Sequence, residues 1–326
     1  MEVIIGVDVG GTNTVIGIFD KSLALLRKES VPTLIPKEKD GHDFFDYVTF
    51  HITRLLDSME DPPQLAAVGI GVPGNVDSEN GIAIAAVNLG WSNLPMANEM
   101  EQRLGVPVRI DNDVRAYTQG EVIAGGGQGK KNVICVTLGT GIAAGIMVNG
   151  TIISGSHFYA GEIGHDRCPD IKTQCKCGKV GCLETVASGP GIARLANDAV
   201  KAGTDTLLQT KNAPLTANDV YWAAKEGDLV AIEIFNEVGR ILGTKLVTIT
   251  YLLNPETIII GGGPAAAGDL LLNPIKQVFN DQYRYIDQLP EIVTGSLGDS
   301  AGLIGSAYMA INQSKTEIKR WGKRVE

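Results

Sequence analysis

No apolar run in this 326-residue sequence is long enough to cross a bilayer, which excludes a helical membrane span. Positive charge is also in short supply. The chain carries 28 Lys and Arg against 37 Asp and Glu, a net charge of −9. Binding a polyanion needs clustered cations, so no nucleic-acid partner is expected. Cysteine is scarce, with five residues, and the opening "MEVIIGVDVGG" has none of the basic start, apolar stretch and cleavage site of a secretory signal. The expectation is a cytoplasmic protein whose thiols stay reduced and serve as ligands or core residues, not disulfides. Low-complexity linkers are missing too, so any domain boundary must be read from repetition.

What the chain has in quantity is glycine. Its 40 glycines sit largely at the ends of apolar runs, where backbone turns tightly or approaches a ligand. "VIIGVDVGGTNTVIGIFD" reads as strand, turn at Gly10-Gly11 and returning strand. "NVICVTLGTGIAAGIMVNGTIIS" repeats the unit, with its turn at Gly139-Thr140-Gly141 and an Asn149-Gly150 hairpin before a third strand. Helical spacing appears near residues 44–58 and 94–104. A long helix opens at Asp228 and runs toward Leu252, stopped by Asn254-Pro255, and a small-residue helix follows Asp299. Residues 313–326 read as a frayed polar tail. Strands alternating with helices, with meanders at two places, predict an α/β protein with mixed sheets. The repeat divides it into a small domain over 1–119, completed by a C-terminal helix near 300–315, and a larger domain over 120–299.

Three of the five cysteines fall in "CKCGKVGCLE", residues 175–184. His165, Cys175, Cys177 and Cys182 offer one imidazole and three thiolates, a set that suits tetrahedral Zn2+. Four protein ligands leave no open position, so such a metal is structural. Cys168 is a spare thiol that could take the place of His165; Cys135, in a strand, reads as core. The second constellation is acidic. Asp8 ends the first strand before Gly10-Gly11-Thr12-Asn13, where a carboxylate can hold a magnesium-bound water while turn amides face a phosphate. Gly139-Thr140-Gly141 repeats the arrangement. Either turn alone is compatible with a plain hairpin; two at equivalent places in a repeat favour a grip on nucleotide phosphates. "GIGVPG" and "GGGQGK" mimic dinucleotide and P-loop fingerprints but lack the following helix and the Ser or Thr, and are rejected, leaving Pro73-Gly74 as a substrate-facing turn. Asn112-Asp113 follows a strand and precedes a helix, which fits both an N-cap and a general base.

Taken together, the Asp8 to Thr12 segment, "GVPGNVD", "DND", "LGTG", "GEIGH", "CKCGKVGCLE" and "NPETIIIGGG" resemble the ROK family of bacterial sugar kinases and repressors, over about residues 3–312. The resemblance implies an actin-like, ribonuclease H-like duplicated two-domain fold with a cleft between domains, ATP with Mg2+ as cosubstrate, structural Zn2+ and a homodimer. It implies Asp113 as the base taking a proton from a sugar hydroxyl, with Asn112, Glu162, His165 and Glu184 on other hydroxyls. Gly11, Thr12, Thr140 and Gly262 would lie along ATP, with Asp8 near magnesium. The metal would then fix a loop that presents Glu184, and His165 would meet zinc through one nitrogen and sugar through the other. Where many relatives read "NDAN", this chain has Asn112-Asp113-Val114-Arg115, adding a cation near the base.

The segment "AAVNLGWSNLP", Ala85 to Pro95, resembles that of the family's glucokinases. It places Asn88 in the sugar pocket and Trp91 in the core. The expected reaction is ATP-dependent phosphorylation of an unmodified aldohexose at O6, glucose first, with allose, mannose and N-acetylmannosamine as alternatives. A sugar-responsive repressor is the alternative from another class. The phosphate motif already starts at Val3, and this leads us to expect no preceding helix-turn-helix module.

Overall fold

The computed structural model describes residues 1–35, 41–86, 89–210, 214–284 and 288–322, the last stretch with side chains to Ile311. The chain divides into two compact units, one formed by Met1–Gln128, Ser154–Tyr159 and the segment from Asp299 onward, the other by Gly129–Ile153 and Ala160–Gly298.

In the first unit, β1 (Glu2–Val9), β2 (Asn13–Phe19) and β3 (Leu25–Pro32) form the antiparallel meander read from the sequence. After helix α1 (His42–Asp57), strand β4 (Gln64–Val72) pairs parallel to β1. The chain then builds a separate antiparallel sheet from β5 (Asn75–Asp77), β6 (Ile82–Ala86) and β7 (Trp91–Leu94). Helix α2 (Met96–Leu104) leads to β8 (Val108–Asn112), which joins β4 and completes the order β3-β2-β1-β4-β8. The central strands read as nearly unbroken apolar runs because both faces are covered. Val3, Ile5, Val7 and Val9 are fully buried, with Phe44, Phe45 and Ile52 of α1 in the same core. Trp91 belongs there too, its ring edge-on to Phe44 at 4.8 Å.

Helix α3 (Asp113–Ala124) crosses α9 (Ser300–Gly322) closely enough that a Cβ on Gly120 would overlap the Ala301 carbonyl, and one on Gly305 that of Ala116. This contact explains why the unit extends to Gln128: a boundary at 119/120 cuts α3 in two. The backbone of α9 also stays helical to Gly322, past the expected start of a frayed tail at 313. Gln, Lys, Glu and Arg there are good helix formers despite their polarity.

The second unit repeats the first sheet. Strands β9 (Val133–Leu138), β10 (Ile142–Val148) and β11 (Thr151–Ile152) form a meander, and β12 (Thr257–Gly261) and β13 (Glu291–Thr294) add in parallel, giving β11-β10-β9-β12-β13. Between β11 and β12 lie α4 (Glu184–Ala187), α5 (Gly189–Lys201), α6 (Ala217–Lys225) and α7 (Leu229–Leu253). Asp228 caps α7, its carboxylate accepting the Ala231 N–H at 2.8 Å, and Asn254 ends it at φ 42° ahead of Pro255. Helix α8 (Asp269–Gln282) was hidden in the sequence because Pro274 sits inside it, where proline ordinarily breaks a helix; here the ring packs on Gly239 of α7. No helix among the described residues is long and apolar enough to cross a membrane.

Candidate active site

Equivalent positions of the two sheets carry the two glycine turns. Between β1 and β2, the Gly10 N–H donates to the Asn13 carbonyl at 2.9 Å, and the Thr33 hydroxyl to the Gly10 carbonyl at 2.8 Å. Thr33 also donates its N–H to Thr12 O at 2.8 Å, so the residue that follows β3 braces the turn while Gly11, Thr12 and Asn13 stay exposed. Between β9 and β10, Gly139 N–H bonds to Gly141 O at 2.9 Å, leaving Gly139 and Thr140 exposed. Gly262, at φ 83°, follows β12; a Cβ there would strike the Leu138 carbonyl just before this turn. The sequence reading missed the Thr33 brace, since a contact between residues far apart leaves no local pattern.

Only the first turn is preceded by an acid. Asp8 lies two residues before Gly10, whereas Thr137 lies two before Gly139. Burial pushes the Asp8 carboxyl up to about 6, and the charge of Asp299, at the start of α9, adds to the rise. The folded protein therefore favours protonated Asp8. Ionising it, as pH rises from the ordinary carboxylate range through about 6, removes folded stability. Asp8→Asn is accordingly expected to raise Tm by a few degrees at neutral pH and by little near about pH 4, on protein free of divalent ions. Melting curves across that range check it; parallel curves would contradict it.

Asn112 and Asp113 sit at the C-terminal end of β8 and the start of α3, where open α/β sheets place ligands. Asn112 is the N-cap, its Oδ1 accepting from Val114 N at 3.0 Å and Arg115 N at 3.1 Å. Its Nδ2 donates to Gly74 O at 3.0 Å and to Asp113 Oδ1 at 2.9 Å, and Val114 N donates to the same Asp113 oxygen at 2.9 Å. The cap and the carboxylate orientation are thus one device, so the two sequence readings of this pair are compatible. Any hydroxyl taken by Asn112 exchanges with Gly74 or Asp113. Arg115, two positions further along α3, is buried and ion-paired to Asp111 at 2.6 Å. Asn88 lies outside the described residues.

In the second unit, the ligand atoms of His165, Cys175, Cys177 and Cys182 all lie within 4.8 Å of one another. Cys168 is buried nearby and is not part of that group. Turns build the loop: Gly178 N bonds to Cys175 O at 2.9 Å and Cys175 N to Lys179 O at 2.7 Å. Lys245 of α7 anchors the His165 end, its Nζ 2.7 Å from both Arg167 O and Asp166 Oδ2. One imidazole and three sulfurs at this spacing fit tetrahedral zinc. Burial first, then the Glu184 carboxylate, pushes the Cys175 thiol up to about 12, so a metal here must displace its proton.

Glu184 faces two ways. Its Oε1 accepts from Cys175 Sγ at 2.8 Å and lies 3.6 Å from His165 Nδ1, while Oε2 would stand 2.8 Å from a Cβ on Gly141. The side chains of His165 and Glu184 are 40% and 20% exposed, enough for both to meet a ligand. Glu162 is exposed, and its carbonyl accepts from His165 N at 3.2 Å, starting the 3-10 turn that carries the imidazole.

Next to the Gly139 turn lies a cavity of about 520 Å³, lined among others by Gly189, Pro190, Asn218, Tyr221, Phe235 and Pro264. The Gly189 N–H donates to Gly139 O at 3.0 Å, joining the cavity wall to the turn. Sequence reading missed this wall, although Ser188-Gly-Pro at the start of α5 and the Thr216–Asp219 capping box of α6 are readable cap signals.

Two units with the same five-stranded order, each with a glycine turn between its first two strands, define the actin-like two-domain fold of the sugar kinases. The chain belongs to the ROK family, which it matches over residues 4–313. It is 37% identical to a glucokinase of Halalkalibacterium halodurans over 97% of both chains. A ROK family glucokinase of Streptomyces griseus, solved with glucose and AMPPNP, superposes with a TM-score of 0.80 at 32% identity, covering 94% of this chain and 99% of that one. A ROK family transcriptional regulator superposes with a TM-score of 0.85 at 27% identity, covering 94% of this chain and 77% of the regulator.

Proposed function

We infer that this protein transfers the γ-phosphoryl group of ATP to the 6-hydroxyl of an aldohexose, glucose before others. The observation that carries the reading is the Asn112–Asp113 pair: a carboxylate held by a side-chain amide and a backbone N–H at the end of a parallel strand. Phosphoryl transfer needs positioning and charge neutralisation more than covalent chemistry, together with one base near the attacking hydroxyl. Asp113 is that base. Asn112, Gly74, Glu162, His165 and Glu184 take the remaining hydroxyls of the sugar, and Asn88 joins them. Zinc, held by His165, Cys175, Cys177 and Cys182, stiffens the loop that presents His165 and Glu184 and takes no part in the chemistry.

The nucleotide reading rests on the turn and the cavity beside it. A volume of about 520 Å³ with mixed apolar and polar walls suits a purine nucleoside. The hydrogen bond from its wall to Gly139 supports phosphate contacts at Gly139, Thr140, Gly141 and Gly262, and Gly10, Gly11, Thr12 and Asn13 are the second phosphate-binding turn in this reading. Asp8 is the group that would hold Mg2+ through water, and the ion would supply charge neutralisation of the transferring phosphoryl group.

The reading of glucose comes from the glucokinase relatives and from the Asn88-Leu-Gly-Trp91 segment. A repressor reading has the regulator's likeness behind it. Against it stand the net charge of −9 and a match with a glucokinase that spans 97% of both chains. The sugar test is kcat/KM over glucose, allose, mannose, fructose, N-acetylglucosamine and N-acetylmannosamine, with the phosphate located by NMR. Glucose is expected first, by about tenfold or more over its epimers, because one unpaired buried hydroxyl partner shifts specificity by that order. A preference for an acetylated sugar, or phosphate at another hydroxyl, would overturn the glucose assignment.

A further inference from the structure

We propose that Arg115 is a positioning residue for the sugar site, acting through three polypeptide segments that its guanidinium ties together; the proposal rests on the hexose-kinase reading. Arg115 is the largest fully buried side chain of the described residues, 2% exposed. A buried charge with that desolvation cost needs an ion partner and hydrogen-bond acceptors. Its Nε donates to Asp111 Oδ1 at 2.6 Å, its Nη2 to Val76 O at 2.9 Å and its Nη1 to Phe158 O at 3.3 Å.

Each acceptor lies within a few residues of a group assigned to the site. Asp111 lies on β8, directly before Asn112 and Asp113. Val76 lies on β5, two residues beyond Gly74, whose carbonyl accepts the Asn112 amide. Phe158 lies in Ser154–Tyr159, a segment that packs with the first unit although the chain on both sides of it belongs to the second. The backbone of Phe158 has φ 62°, an uncommon conformation for a bulky residue that needs outside support. Asn75 supplies a second tether, its Nδ2 donating to His157 O at 3.3 Å. Three residues beyond this segment, after Ala160-Gly161, the chain reaches Glu162.

Arg115 stands two positions after Asp113 on α3, and helical spacing turns their side chains about 200° apart, so Arg115 acts from behind the base. Three separate guanidinium nitrogens serve the carboxylate and the two carbonyls here; a lysine ammonium, with its donors on a single nitrogen, is expected to keep the Asp111 pair and lose at least one carbonyl. The consequence is specific to the acceptor sugar. The nucleotide turns make none of these three bonds.

Arg115→Lys is the test, compared with the parent by steady-state kinetics in ATP and hexose and by digestion with chymotrypsin. The expected result is a rise of about tenfold or more in KM for hexose, KM for ATP within about twofold, and faster cleavage at Phe158 and Tyr159. A residue that only supports the fold would lower Tm and leave the hexose KM, measured well below Tm, unchanged; that outcome overturns the proposal. Should the lysine variant not fold, Asn75→Ala removes the neighbouring tether without touching the buried ion pair. It is expected to raise the hexose KM about threefold or more, and an unchanged KM there also overturns the proposal. A parent enzyme inactive on every hexose would instead refute the kinase reading.

Discussion

Asp113→Asn is expected to lower turnover by about a hundredfold or more while leaving hexose affinity within a few-fold of the parent. The substitution is nearly isosteric. Two bonds that orient Asp113 end on Oδ1, one from Asn112 Nδ2 and one from Val114 N, each 2.9 Å long, and an asparagine oxygen still accepts both. The N-cap of α3 belongs to Asn112 and is untouched. What disappears is the ability to take a proton from the attacking hydroxyl. Calorimetry with hexose beside a coupled ADP assay separates the two effects. Near-parent turnover in the variant would move the base elsewhere; loss of folding would show that the carboxylate is structural.

Loss of the metal is expected to have a second large effect, on stability and on sugar binding together. Structural zinc sites formed only on folding contribute about 10–16 kcal/mol in small domains, because binding free energy becomes folding free energy. In a protein with its own large core the share is smaller. Cys177→Ser removes the exposed thiol of the group and is expected to lower Tm by roughly 10 °C. Hexose affinity should fall about tenfold or more, since His165 and Glu184 both lean on the loop. Zinc uptake should release protons and weaken as pH falls, because the Cys175 thiol, raised to about 12 without an ion, must give up its proton. Elemental analysis of untreated protein and melting of the variant check the account. A parent without zinc, or a variant unchanged in Tm and hexose binding, would contradict it.

The parts of the site that were legible in the sequence are those whose chemistry is local. The Cys175, Cys177 and Cys182 spacing, the two glycine turns and the Asn112-Asp113 pair each fit within one turn or loop, and the repeat of strand, turn and strand foretold two sheets of one topology. The partners of Arg115 were not legible for the opposite reason. In the sequence it is a cation next to a carboxylate; in the fold its partners are Asp111, a carbonyl on β5 and one in the 154–159 segment. Nothing local announces a bond to a backbone carbonyl so far along the chain. The cavity by Gly189 eluded the sequence because α5, α6 and the Gly263–Ala267 turn meet only after folding, and α8 because Pro274 masks a helix that tertiary packing sustains.

The most direct test of the whole reading is ADP formation by the purified, zinc-loaded protein with Mg-ATP, with and without glucose. The account predicts ADP and glucose 6-phosphate in equal amounts, little ADP without sugar, and a rate that collapses in Asp113→Asn. Absence of sugar-dependent ADP with glucose and with every other hexose would contradict it.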